Sequence, residues 1–347
     1  MSIAAKIRIT LTSRSRNNLP LLAFGAAILA AGVPAQAATT IIFDVPGATN
    51  TQPAAINDSG TITGMFTFGR SHRYGFARAP DGTIETFHVK NPHDETGERH
   101  TYPAGINHDG AIAGYYQIRH MALHGFVRGR HGKITLFDVP GASFTQPVGI
   151  DDRGVVAGQY ENDSGEHGFL RAPNGTITSF DVPGAIGTSV SSINNKGEIS
   201  GSYEVTESMV EGYVRGTDGT ITTYDVDGHG ATYAGSIADN GTVTGFFING
   251  NGDSGFVRGG DGNIVTFDGP DAYFTDGTAV NNSGIVVGEF DSGTGEHAFL
   301  RSKGGKITII DVPDEGLNYP AAINEAGVVT GGCYDDASGF HGFIRTP

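Results

Sequence analysis

Side chains able to do chemistry recur in this 347-residue sequence at nearly constant intervals. Histidine opens His124-Gly125-Phe126 and His167-Gly168-Phe169, and an aspartate follows each at Asp138 and Asp181. If His131-Gly132 turns a hairpin, antiparallel pairing sets His124 nearly opposite Asp138, and the same register sets His167 near Asp181. A metal would need two to four such groups in one coordination sphere, and separate repeats keep these pairs apart. The expected role is a hydrogen bond tying one strand to the next, and no metal site is assigned. Arginine ends a G-F-x-R motif seven times, from Arg78 to Arg345. One copy per repeat is more than a single site uses, so structural pairing is expected.

The variable positions are more informative. One column runs Gln52, Tyr102, Gln146, Ser189, Tyr233, Asp276 and Tyr319, preceded by a uniform Thr51, Thr101, Thr145, Thr188, Thr232, Thr275 and Asn318. Phenol rings stack on flat faces and amides hydrogen-bond, which suits carbohydrate or another polar ligand. Gln52, Tyr102, Gln146, Tyr233, Asp276 and Tyr319 are therefore the candidate ligand-binding residues. Only Asp276 is acidic in this column, and glycoside hydrolysis needs paired carboxylates, so no catalytic residue is nominated. The stretch His88–His100 concentrates charge, with His93, Asp94, Glu95, Arg99 and His100 as a candidate lid or partner-binding loop. Asn249-Gly-Asn251-Gly-Asp253 alternates oxygen donors, but Ser254 and Gly260 stand where a calcium loop wants Gly and an acid. Calcium would enter only as a structural ion, and no cofactor is expected.

These residues are positioned by a repeat. The motif I-N-x-x-G-x-I/V-x-G begins at Ile56, Ile106, Ile150, Ile193, Ile237, Val280 and Ile323, in steps of 50, 44, 43, 44, 43 and 43 residues. G-F-x-R follows each copy, and G-x-I-x-x-F-D follows six of the seven. Each repeat reads as four short strands, A to D, with Asn-x-x-Gly and Asp-Gly turns between them, as at Asn57–Gly60 and Asp81-Gly82. Four-stranded units of about 43 residues suggest a β-propeller, and an open solenoid is the competitor. The ends decide between them. F-D-V-P-G-A closes a repeat at Phe137–Ala142 and Phe180–Ala185, yet at Phe43–Ala48 it comes first. Thr39–Asp44 would supply the missing strand D to Gly342–Arg345. The expectation is all-β: a seven-bladed propeller over 38–347, closed by an N-terminal strand that completes the last blade. The A–B and C–D turns then share one face, and the variable D–A and B–C loops share the other, where a site belongs.

Residues 1–37 carry Lys6, Arg8, Arg14 and Arg16, an apolar Leu19–Val33 and an Ala35-Gln36-Ala37 cleavage site. That is the pattern of a secretory signal cut after Ala37, giving a secreted or periplasmic protein with no membrane span. Removing those four cations from 22 leaves 18 Lys+Arg against 37 Asp+Glu, a net charge of −19, which disfavours nucleic acid. The lone Cys333 allows no internal disulfide, so the core alone must stabilise the fold.

The residues before strand C also carry a resemblance. His297-Ala298-Phe299 is a literal H-A-F, and His124-Gly125-Phe126, His167-Gly168-Phe169 and His341-Gly342-Phe343 are close variants. With the upstream I-N-x-x-G-x-I-x-G, residues 38–347 resemble the HAF-repeat family of predicted extracellular bacterial proteins, with departures at Tyr74, Glu211 and Ser254. The resemblance implies secretion and propeller-type repeats, and brings no activity or catalytic residue. The expected function is a non-enzymatic binding module, monomeric, for an extracellular carbohydrate or protein. The alternatives are an extracellular polysaccharide hydrolase or lyase on the D–A/B–C face, and a structural envelope component.

Overall fold

The computed structural model describes residues 38–347 except 70–71, 91–98, 119–121, 229, 251, 294, 314–315 and 336–338. The chain divides into Met1–Ala37 and Ala38–Pro347; the first part, with the expected leader, lies outside the described residues. Among the described residues there are 28 strands and no helix. In the first unit the strands are Asn50–Ile56, Ile62–Phe68, His72–Arg78 and Ile84–Phe87, paired antiparallel in chain order as A, B, C and D. The pattern repeats down the chain, and one parallel bridge between Asp253 and Phe274 joins the fifth and sixth units into a single sheet.

The last unit takes its fourth strand from the other end of the chain. Thr39–Phe43 runs antiparallel to Gly339–Thr346, with Ile41 opposite Ile344 and Phe43 opposite Gly342. His341 Nδ1 lies 2.9 Å from Asp44 Oδ2. The same bond ties strand C to the end of strand D at His124–Asp138 (3.0 Å), His167–Asp181 (2.8 Å) and His297–Asp311 (2.7 Å). The expected hydrogen-bonding role of these histidines therefore holds.

Three sequence columns explain how units pack. The glycine of G-F-x-R lies beneath the strand D aromatic: a Cβ on Gly125 would sit 2.6 Å from Phe137 Cζ, and one on Gly342 would sit 2.7 Å from Phe43 Cζ. Where this column holds Ala298, the residue that follows strand D and bonds Ala298 O is Ile310, which is narrower than a ring. The following Phe is fully buried, as in Phe126, Phe169 and Phe299, each contributing roughly 2–3 kcal/mol of burial. The arginine of six of the seven motifs then lies over the aromatic of the preceding unit, the exception being Arg345, which follows the unit that carries Ile310. Arg171 stands 4.7 Å from the Phe137 ring centroid, Arg215 4.8 Å from Phe180 and Arg78 4.9 Å from Phe43. The core is thus continuous between neighbours, as where Ala113 and Val139 join Ile150, Val156, Tyr160 and Phe169.

Strand A carries a bulge that periodicity alone does not reveal, for example between Pro147 and Gly149. The last glycine of I-N-x-x-G-x-I/V-x-G accommodates it: a Cβ on Gly158 would stand 2.7 Å from Pro147 Cα. The I-N asparagines do more than turn the chain. Asn57 Oδ1 accepts the Thr61 N–H, while its Nδ2 donates to Asn107 O in the next unit, and Asn107 donates likewise to Asp151 O. Asp151 has no donor to pass on, and Arg153 takes over by bonding Lys196 O. Asn194 reaches Ala238 O, Asn240 replaces the missing side chain of Ala238 by bonding Asn282 O, and Asn281 reaches Asn324 O. Asn324 Nδ2 then donates to Asn57 O at 3.2 Å, returning to the first unit.

Candidate functional site

The threonine column is buried and bonded within the fold. Thr51, Thr101, Thr145, Thr188, Thr232 and Thr275 are at most 1% exposed, and each Oγ1 accepts an N–H from the start of the D–A loop, one residue past the aspartate that ends G-x-I-x-x-F-D or past His88 in the first unit. The bonds run from Val45, Val89, Val139, Val182, Val226 and Gly269 at 3.0–3.2 Å, and Asn318 Oδ1 does the same for Val312 at 2.9 Å. These side chains satisfy buried loop amides, which is why the column is uniform. It sets the next residue, the variable one, at the end of a pinned loop.

The variable residues fall into different neighbourhoods. Gln52, Asp276 and Tyr319 line one cavity of about 440 Å³, with Pro53, Glu289 and Phe340. Gln146 sits opposite Gln159, whose amide bonds Glu166. Tyr233 stacks on Phe246 at 4.9 Å, and Tyr102 stacks on Tyr115 at 4.8 Å while its hydroxyl accepts a hydrogen bond from Arg73 Nη1. The six candidates are therefore not one ring: three share a cavity, and two tyrosines have a face already covered by a partner ring. Of the charged insertion, His93, Asp94 and Glu95 lie outside the described residues. Arg99 and His100 belong to a strand, Arg99–Ile106, with His100 only 5% exposed, so the loop ends earlier than the expected His100.

The cavity holds more acid than the strand A column discloses. Asp276 pairs in register with Glu289 on strand B, which also lines the cavity, and Glu296 on strand C lies near enough to act on Glu289. Burial, and then the nearby Asp253, push the Asp276 carboxyl up to about 6. Glu289 is raised to about 7 by burial, then by Asp276 and Glu296. Tyr319 is pushed up to about 12 by burial and by its hydrogen bond to Glu296. Asp276 is the one acid of its column, and the neighbouring strands add Glu289 opposite it and Glu296 nearby, neither of which the strand A column can contain. Comparing the strand B residues opposite that column (Met65, Tyr115, Gln159, Ser202, Phe246, Glu289 and Gly332) would have found the first.

A second opening, of about 220 Å³, lies at the A–B turns. Its carboxylates are occupied: Asp152 Oδ1 accepts the His108 N–H, Asp239 Oδ1 that of Asn195, and Asp58 Oδ1 that of Glu325. This end is a structural rim. Among the described residues no group of three or more His, Cys, Asp or Glu could hold a metal ion. The Asn249–Asp253 stretch is a hairpin tip, where the ladder continues through Ile248 opposite Asp253 and Asn249 Nδ2 donates to Ser254 Oγ.

No family model matches the sequence, and no curated protein matches it. Solved structures do. A streptogramin B lyase is 14% identical with a TM-score of 0.58, over 89% of this chain and 98% of that one. Virginiamycin B lyase from Staphylococcus aureus is 13% identical with a TM-score of 0.58, over 89% and 99%. The β-propeller domain of the Trilobed protease from Pyrococcus furiosus is 10% identical with a TM-score of 0.62, over 87% and 94%. The chain has a propeller-type fold. At these identities the likeness extends to the fold alone. Within the propeller, the 440 Å³ cavity is the best candidate site. It lies at the D–A ends of strands A from the first, sixth and last units, on the face where the loops vary. Among the described residues no helix is long and apolar enough to cross a membrane.

Proposed function

We propose that this chain is a secreted or periplasmic seven-bladed propeller that holds a polar extracellular ligand in the Gln52–Asp276–Tyr319 cavity without turning it over. Seven groups of four strands and the pairing of Thr39–Phe43 with Gly339–Thr346 support the blade count and its closure. The leader-like residues 1–37 and the H-A-F resemblance support export, with cleavage after Ala37. The observation that carries the binding role is the cavity itself, where an amide, a phenol and carboxyl groups converge from three blades. Convergence of this kind orients a ligand and distinguishes it by hydrogen bonding. The test is to screen the protein against glycans and against peptides, and to recover each bound compound for mass spectrometry. Retention of an unaltered compound, lost on Tyr319→Ala or Gln52→Ala, is expected; no retention on either panel would remove the binding role.

A hydrolase or lyase is the second reading, and one observation favours it. Asp276 and Glu289 face each other across the sheet with carboxyls raised to about 6 and about 7, so near neutral pH one can be ionised while the other holds a proton. Release of a shortened or unsaturated product, abolished by Glu289→Gln, would establish it and displace the first reading.

A further inference from the structure

The candidate cavity continues toward a charge of the opposite sign. A neighbouring cavity of about 290 Å³ shares Gln52 and Phe340 with it and is lined at its other end by Arg73, with Met65 and Tyr334 between. Arg73 projects from strand C of the first unit, and its Nη1 donates to the Tyr102 hydroxyl at 3.2 Å. Among the described residues it forms no ion pair with a carboxylate. At the opposite end Asp276 and Glu289 likewise face no cation, and Glu296 Oε2 behind them is shut off from solvent with no hydrogen-bond partner. By contrast Arg128 pairs with Glu85, and Arg153 with Asp151. Opposite unpaired charges at the two ends of one apolar-walled trough cost desolvation on both sides, and a ligand bearing the complementary charges recovers it.

We infer that this trough binds a short peptide by both of its ends, the ammonium group at Asp276 and Glu289 and the terminal carboxylate at Arg73. The chain would lie over Phe340 and Gln52. Phe340 provides apolar surface, and it is fixed by a ring contact with Tyr319 at 6.0 Å and by its N–H bond to Asn50 Oδ1 at 3.1 Å. Gln52 offers one amide to the peptide backbone at the midpoint. An uncharged saccharide would leave both ends unpaired, and a free amino acid is too short to meet charges in two separate cavities. Tyr319, the aromatic residue at the ammonium end, adds attraction for a cation.

This inference rests on the proposed binding site and adds the ligand class. The experiment passes a pool of free-ended tri- to pentapeptides over immobilised protein, beside the same pool N-acetylated and the same pool C-amidated. Free-ended peptides should be retained, and either block should lower retention at least tenfold. Arg73→Gln should abolish the distinction between free and amidated peptides while keeping that between free and acetylated ones; Glu289→Gln combined with Asp276→Asn should do the reverse. Equal retention of the three pools, or no retention of any, overturns the inference. If neutral glycans are held in the same cavity while no peptide is, the binding site stands and only its ligand class fails.

Discussion

Asp276 and Glu289 are carboxyls whose ionisation the fold resists. Both are raised chiefly by burial, Asp276 from 3.8 to about 6 and Glu289 from 4.5 to about 7. Below about pH 3 they are protonated in folded and unfolded chains alike, and they cost nothing. As pH rises, the unfolded chain ionises first, and above about 7 the folded protein must carry both charges in the cavity. Their stabilising protonation is therefore present at low pH and lost as pH climbs through the folded values. The Asp276→Asn, Glu289→Gln variant should accordingly melt a few degrees higher than the parent at pH 8, with a much smaller difference at pH 4. Calorimetric scans at the two values check this; an identical pH slope in parent and variant would show that the pair is not ionising under strain. Such strain is typical of sites that await a partner.

At the level of strands, the glycine–aromatic pairing makes a sharper claim. Gly125→Ala would drive a methyl group into the Phe137 ring, and overpacking of this kind costs roughly 1–3 kcal/mol. Phe137→Ile alone loses ring contacts with Phe169 and Arg171. The double variant reproduces the Ala298–Ile310 pair already used in the sixth unit. It should be more stable than the sum of the single changes by on the order of 1 kcal/mol, measured by denaturant unfolding. Strict additivity would mean that the two positions do not touch. This pair also shows what the sequence could tell. The repeat, the four strands per unit, the orphan strand at 39–43 and the His–Asp bonds all follow from spacing, because hairpin register converts spacing directly into contact. The strand A bulge, the threonine latches and Glu289 do not. A bulge shifts register by one residue without changing repeat length, and Glu289 acquires meaning only from the residue opposite. Nothing in the spacing shows that Val139 needs the oxygen of Thr145.

For the whole molecule, two devices join the ends. Removing Thr39–Asp44 deletes five paired positions, the Phe43 ring over Gly342 and the partner of His341. A loss of at least 10 °C in Tm is expected, since the cut exposes a core strand; a Tm within 1 °C of the parent would end the closure argument. The second device is the circuit of turn amides. Asn324→Asp keeps the oxygen that accepts the Val328 N–H but loses the donor to Asn57 O, at a cost of roughly 1–3 kcal/mol. Adding Ala326→Arg copies the Asp151–Arg153 arrangement of the third unit and should recover most of it. Failure of that rescue in thermal melts would mean the circuit is not interchangeable from unit to unit.

The pairing of strand 39–43 with strand 339–346 also has a meaning in time. A strand made near the start must wait for nearly the whole remaining chain before its partner exists, and closing so long a loop carries the largest entropy cost of any contact in the fold. During synthesis or transport Thr39–Phe43 is therefore a bare β-edge, and Ile41 and Ile42 keep 50% and 42% of their surface exposed even when paired. Those five residues stay unpaired until Gly339–Thr346 exists, and an unpaired apolar strand edge of this kind invites association in the meantime.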